Sequence, residues 1–205
     1  TMTLFTAMAL VRERERGNME MLIATPVSAW ELTLGKVLPF IGIGLIQAAL
    51  VLAVGDWLFD VPNRGSTLQL YLASMAFIIA TLALGMFIST LAQSQFQAMQ
   101  MGFFTFLPQI LLSGFVFPYA GMPRFVQWVA EFLPLTHFLR LVRGIMLRNA
   151  TLVDLWQPMA ALGGLIFIEP DLGTTIVLCA IFVSVYFAAG ARIVHLAAVG
   201  GVMLF

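Results

Sequence analysis

Val11-Arg-Glu-Arg-Glu-Arg-Gly-Asn-Met-Glu-Met-Leu-Ile-Ala-Thr-Pro-Val-Ser-Ala-Trp-Glu-Leu-Thr-Leu-Gly-Lys36 is the densest run of charge in a chain otherwise close to oil. Arg12, Glu13, Arg14, Glu15 and Arg16 alternate in sign, so their sum is small. Five such groups in a row have no place in an apolar interior, where each would need its own partner. The run therefore belongs at or outside a membrane face. Behind it, Met19, Leu22, Ile23 and Val27 recur at roughly helical spacing beside Asn18, Glu20 and Ser28. That pattern predicts a short amphipathic helix lying in the interface, helical over Met19–Ala24. Pro26 bends or ends it at Thr25. Ser28 then caps a second helix, with Glu31 as its box partner.

The rest of the chain agrees with a membrane setting. Of its 205 residues, 61% are hydrophobic and 10% charged, and the mean hydropathy is +0.99. A soluble domain carries about 25% charged residues. The net charge is zero, so nothing suggests a nucleic-acid partner. The lone Cys179 sits in an apolar run and reads as a small apolar residue. About ten apolar residues precede Arg12, short of the ~20 a spanning helix needs. They read as the tail of a span.

Val37–Leu58, Leu68–Leu91 and Ala98–Phe117 read as three spans joined by short connections, hence antiparallel neighbours. Gly42 and Gly44 predict close helix approach in the first. Asp56 to Gly65 marks a turn-rich loop with Trp57 at its boundary, and Pro108 predicts a kink in the third span. Beyond the turn at Pro118–Pro123, Arg124–Phe132 and Phe138–Leu147 are two pieces too short and too polar to cross, broken apart at Pro134–His137. They are expected to lie in the outer interface or to dip in and return. The fold class is thus all-α and polytopic: an antiparallel transmembrane bundle with an amphipathic helix on one face and re-entrant or interfacial helices on the other.

Arg-Glu-Arg-Glu-Arg-Gly-Asn-Met-Glu-Met-Leu, then Thr25-Pro26-Val27-Ser28, Glu31 and Gly35-Lys36, closely resembles the cytoplasmic loop of ABC-2 type permeases, the transmembrane halves of ABC exporters. Pro134-Leu135-Thr136-His137-Phe138 with Arg143-Gly144 resembles the external re-entrant region of the same family. From the charges alone, a solvated loop whose arginines set topology is the plainer reading. The extended match turns it into a coupling element. The resemblance implies that Arg12, Glu13, Arg14, Glu15, Arg16, Gly17, Met19, Glu20, Leu22, Thr25 and Pro26 couple to an ABC ATPase subunit. It implies that Pro134, Thr136, His137, Arg143 and Gly144 form the external region, with a second permease copy completing the path. It also implies a multi-pass protein of the bacterial inner membrane. The chain would not itself be an enzyme. No Walker-type loop appears, so ATP and Mg belong to the partner subunit and this chain binds no cofactor. Placing the first cluster in the cytoplasm leaves Arg124, Arg140, Arg143 and Arg148 outside; the first cluster is taken to dominate.

After Gly163-Gly164 the text changes. Glu169-Pro170-Asp171-Leu172-Gly173-Thr174-Thr175 resembles the SEDS family of FtsW and RodA type peptidoglycan polymerases. This divides the chain into a permease-like part, 1–164, and a SEDS-like part, 165–205. It supplies an alternative function, a fragment of a cell-wall glycosyltransferase. The catalytic aspartate of that family lies in a later loop, so no polymerase activity is carried over. Glu169 and Asp171 read more simply as acids at a helix start than as a glycosidase pair. His137 and His195 lack companions, so no metal site is expected. Met86, Met99 and Met101 read either as a polyspecific surface or, more plainly, as packing. Leu155–Ile168 covers about 21 Å of helix against a core of ~30 Å. It is therefore expected to stop short or re-enter, which keeps Glu169 and Asp171 on the side of Asn63 and puts Arg192 on the side of Arg12.

Overall fold

The computed structural model describes residues 2–15, 29–59, 65–167 and 172–190. They form α1 (Met2–Glu15), α2 (Ala29–Phe59), α3 (Thr67–Leu91), α4 (Gln95–Leu112), α5 (Arg124–Glu131), α6 (Pro134–Arg148), α7 (Trp156–Ile166) and α8 (Leu172–Ala188), with a 3-10 turn at Tyr119–Gly121. There is no strand among the described residues. Among the described residues two segments, Leu34–Leu58 of α2 and Thr67–Leu91 of α3, are long and apolar enough to cross a membrane.

α3 is the axis of the fold, packed on by α1, α2, α4, α6, α7 and α8. Its sequence makes this possible. Ala73, Ala76, Ala80, Ala83 and Gly85 keep it thin, while Leu70, Ile79 and Leu82 fill the space between neighbours. Its buried hydroxyls are satisfied by its own backbone. Ser74 donates to the Leu70 carbonyl at 2.9 Å, Thr81 to Ile78 at 2.8 Å and Ser89 to Met86 at 2.7 Å. These three hydroxyls then need no partner from outside the helix.

α1 runs parallel to α3. Thr3 and Thr6 lie against Gly85, and Glu15 reaches Gln95, just beyond the end of α3. α2 runs antiparallel to α3, with Ile78 seated on Gly44. Gly42 was expected to share that role, but nothing lies within 4 Å of the Cβ it lacks. One helix face meets α3 and Gly42 is on the other.

Two further expectations need correction. α4 stops at Leu112, short of the Phe117 read from the sequence. Gly114 takes φ +88°, a left-handed conformation that ends the helix. The Arg143 guanidinium holds the Gly114 carbonyl at 2.9 Å. Pro134 does not break a helix but starts one, because its missing N–H is spare in the first turn. Thr136 and His137 therefore lie inside α6.

α5 and α6 form a hairpin inserted into the bundle. Phe132 and Pro134, at its tip, share a small cavity with Ala80, Ala83, Leu84 and Phe87 of α3. Ala80 lies about 20 Å along α3 from Thr67. α6 then returns until Ile145 packs on Gly65, at the start of α3. On the way Phe77 and Phe138 stack with ring centroids 4.3 Å apart. Asn149, at φ +51°, closes α6, and the Ala150 amide bonds to the Gly144 carbonyl at 3.2 Å.

α7 ends at Ile166, and Phe167 caps it. Gly163 lies against the ring of Phe182. In one unbroken helix these two residues would stand about 28 Å apart, so α7 and α8 are separate helices packed side by side, as the short Leu155–Ile168 run implied. Glu169, Pro170, Asp171 and Arg192 lie outside the described residues, and Gly173 and Thr174 are in the first turn of α8.

Candidate functional site

The five charges expected to lie outside the bundle begin inside a helix. α1 continues unbroken through Arg12, Glu13, Arg14 and Glu15. Arg12 is exposed. Glu13 pairs with Lys36 of α2. The carboxylate of Glu15 accepts the backbone N–H of Gln95 at 2.9 Å. That amide belongs to the first turn of α4, where an anion is favoured. Ser94 caps the same turn by accepting the Gln97 N–H at 3.2 Å, while the Gln97 side chain accepts the Gln93 N–H at 2.9 Å. Arg16, Gly17, Met19, Glu20, Leu22, Thr25, Pro26 and the Ser28 cap lie outside the described residues, as does the side chain of Arg14.

Away from that end, beside its tip, the inserted hairpin carries a polar network that the sequence did not disclose. The Glu131 carboxylate accepts from Arg140 at 2.9 and 2.5 Å and from the Tyr119 hydroxyl at 2.5 Å. The Arg140 guanidinium lies 4.6 Å from the centroid of the Tyr119 ring. Partial burial pushes the Glu131 carboxyl up, but the hydrogen bonds from Arg140 and Tyr119 and the Arg140 charge outweigh it, leaving the group below its ordinary value. His137 is buried, and burial pushes its imidazole down, toward the neutral form. A neutral ring with its proton on Nε2 donates to the Glu131 carbonyl, 2.7 Å away.

Of the expected residues of this region, Pro134, Thr136, His137, Arg143 and Gly144 all lie on α6. Arg143 ties α6 to α4, and Gly144 makes room for Leu155, whose side chain comes within 2.6 Å of the Cβ position glycine leaves empty. Nothing in the spacing of Glu131 and Tyr119 marks them as partners. Glu131 and Arg140 stand on different helices, outside the i,i+4 rule that sequence reading uses.

Between the two ends lies an apolar cavity of about 380 Å³, walled by α1, α2, α3, α4 and α6. Phe77, Phe106, Leu135 and Phe138 supply much of its surface, with the amides of Gln47 and Gln109 as polar points. The three methionines do not form one surface. Met86 is buried in the main core, Met101 packs on a smaller one beside α1, and Met99 faces outward. Cys179 packs, partly buried, against the main core. No group of three metal-ligating side chains occurs among the described residues.

The match with known proteins follows this layout. The model of the ABC-2 type transporter family matches residues 1–147. The chain belongs to the ABC-2 type transporter family. It is 34% identical over 155 residues to the probable multidrug ABC transporter permease YbhR of Escherichia coli, covering 75% of this chain and 42% of that protein. Against YbhS, another probable multidrug ABC transporter permease of E. coli, it is 36% identical over 145 residues, 70% of this chain and 38% of the relative. The inner membrane transport permease YhhJ of E. coli is 31% identical over 166 residues, 79% of this chain and 44% of the relative. The chain thus spans about two fifths of the length of these relatives. No solved structure matches it. The ABC-2 match makes this a membrane protein of the transport class. It contains both the charged run and the inserted hairpin, and it ends before α7.

Proposed function

We propose that this chain is part of the permease subunit of an ABC exporter, a polytopic helix bundle whose charged end faces the cytoplasm and docks on a separate ATPase subunit. The observation that carries this is the polarity of the bundle. Glu13 and Glu15 of the charge run, with Lys36 and Gln95 beside them, sit at one end. The inserted hairpin enters from the other. In this reading the hairpin is an external re-entrant element. The apolar cavity between the two ends belongs to the path of a lipophilic substrate, and a second permease copy completes that path. ATP and Mg²⁺ are handled by the partner, and this chain performs no catalysis. The stretch 165–205 is a distinct segment joined behind Gly163-Gly164, and its Glu-Pro-Asp-Leu-Gly-Thr-Thr run is what favours the second reading, a fragment of a SEDS-type glycosyltransferase.

Docking is tested by reversing positive charges of the run. Arg12→Glu with Arg14→Glu should lower capture of the co-expressed ATPase by about tenfold, given ~1 kcal/mol or less for each exposed charge. Undiminished capture removes the docking role. Sidedness is tested by cysteine labelling in intact cells. Cysteines at Gln93 and Thr151 should react with a membrane-impermeant maleimide from opposite faces, Thr151 from outside. Labelling of both from one face overturns the polarity of the bundle.

A further inference from the structure

We propose that Glu13 and Glu15 are positioning residues that tie α1, which leads into residues 16–28, to α2, which leads out of them, and to α4, so that a push delivered at 16–28 reaches the transport helices, while Arg12 is left to face the partner. This rests on reading the charge run as the ATPase-docking region. The observation behind it is that the alternating charges do not form one outward surface. α1 is helical through Glu15, and residues two apart on a helix point about 200° apart. Glu13 and Glu15 accordingly reach different neighbours. Glu13 takes the Lys36 ammonium of α2, and Glu15 takes the Gln95 amide of α4 at 2.9 Å.

The Glu13 contact closes a gap that apolar packing leaves. α1 packs chiefly on α3 and α4 and touches α2 little. The Glu13–Lys36 pair therefore ties the helix that leads into residues 16–28 to the helix that follows them. Without that tie, a push delivered at 16–28 is taken up as slack between two unlinked ends. Glu15 acts on a different element. α4 borders the cavity at Gly102, Phe106 and Gln109. Just past its far end, the Gly114 carbonyl is held by Arg143 of the inserted hairpin. A push at Glu15 is thus delivered to a helix that contacts both the cavity and the hairpin.

The test uses the chain with its co-expressed ATPase in lipid vesicles, and the chain alone in the same lipid. Glu13→Gln and Lys36→Met should each lower the permease-dependent stimulation of ATPase rate by about fivefold, the scale of one such ion pair, with partner affinity changed less than twofold. The charge swap Glu13→Lys with Lys36→Glu should restore stimulation. In the chain alone, hydrogen exchange should quicken across residues 29–36 in Glu13→Gln and at the Gln95 amide in Glu15→Leu. Glu15→Gln, which keeps an acceptor oxygen, should stay near the wild-type rate. Unchanged stimulation in both single variants overturns the clamp. So does a folded swap variant that fails to restore it, and so does unchanged exchange. Affinity falling in step with stimulation would return Glu13 to the docking surface and also overturn the proposal. If arginine reversal leaves ATPase capture intact, the docking reading fails instead, and the exchange measurements still judge the clamp.

Discussion

Gly85→Val should detach α1 from the bundle, with a loss of about 2–4 kcal/mol in stability, as expected when overpacking is combined with lost burial. The Cβ alone would stand 2.8 Å from the Thr3 carbonyl oxygen and 3.0 Å from the Thr6 Cβ. The first of these is a backbone atom, so no rotamer change relieves the contact. α1 must move as a body, and Ala7 and Val11, now buried against Ile88, Ala92 and Ala98, would leave with it. Gly42→Val is the matched control on α2, where nothing lies within 4 Å of the added carbon. There the substitution should be neutral or slightly stabilising, because glycine is a poor helix former. Thermal unfolding in detergent, followed by loss of the monodisperse peak, compares the two. Equal melting temperatures for Gly85→Val and Gly42→Val would refute the close packing of α1 on α3.

The same pair of glycines marks what a sequence can and cannot disclose. Small residues in an apolar helix announce that something comes close, but not on which face. Gly42 and Gly44 look alike in the sequence, yet only Gly44 receives a neighbour, because 200° of rotation separates them. Gly85 and Gly102, where α1 presses on α3 and α4, carry no louder signal. Hydropathy and length placed α2 and α3 within a few residues, apart from the charged first turns of α2, which an apolar count discards. α4 was overestimated because Phe115, Val116 and Phe117 continue the apolar run after Gly114 has already turned the chain. Composition has no access to that φ angle.

The polar networks were less legible still. The alternating charges at 12–15 were visible as a cluster, but their partners are Lys36 and the Gln95 amide, fixed only when α1 settles between α2 and α4. Pro134 carries a related ambiguity. Proline stops a helix from behind and starts one from the front. Which of the two applies depends on whether Leu133 is extended, and here its φ and ψ are −100° and 122°. Once α6 begins at Pro134, Thr136 and His137 join the helix that carries Arg140 and Arg143. Arg140 then reaches Glu131 and Arg143 reaches Gly114.

Arg140→Met should loosen the inserted hairpin and change its response to acid. The substitution keeps the length and apolar stem of the side chain, removes both hydrogen bonds to Glu131 and leaves the carboxylate with the Tyr119 hydroxyl, His137 Nε2 standing 3.6 Å away. Both partners are more than a third exposed, which places the cost at the low end for charged hydrogen bonds, about 1–2 kcal/mol. Glu131→Leu should cost a similar amount, because it strands the guanidinium above Tyr119. The double variant should cost less than the two singles added together, since it leaves no unpaired charge. The pH dependence follows from the direction of the Glu131 shift. Its carboxyl lies below the ordinary 4.5 in the folded chain, so its contribution is complete above that value and fades as pH falls through the lower folded value. With Arg140 gone, burial is opposed by less and the carboxyl should rise. The stabilising window of this group should therefore close at a higher pH in Arg140→Met than in the unaltered chain. Unfolding followed between pH 3 and 6, with Glu131→Leu as the background lacking the group, isolates that difference. Strictly additive single substitutions, or acid profiles that coincide in Arg140→Met and the unaltered chain, would show that Glu131 and Arg140 do not act on each other.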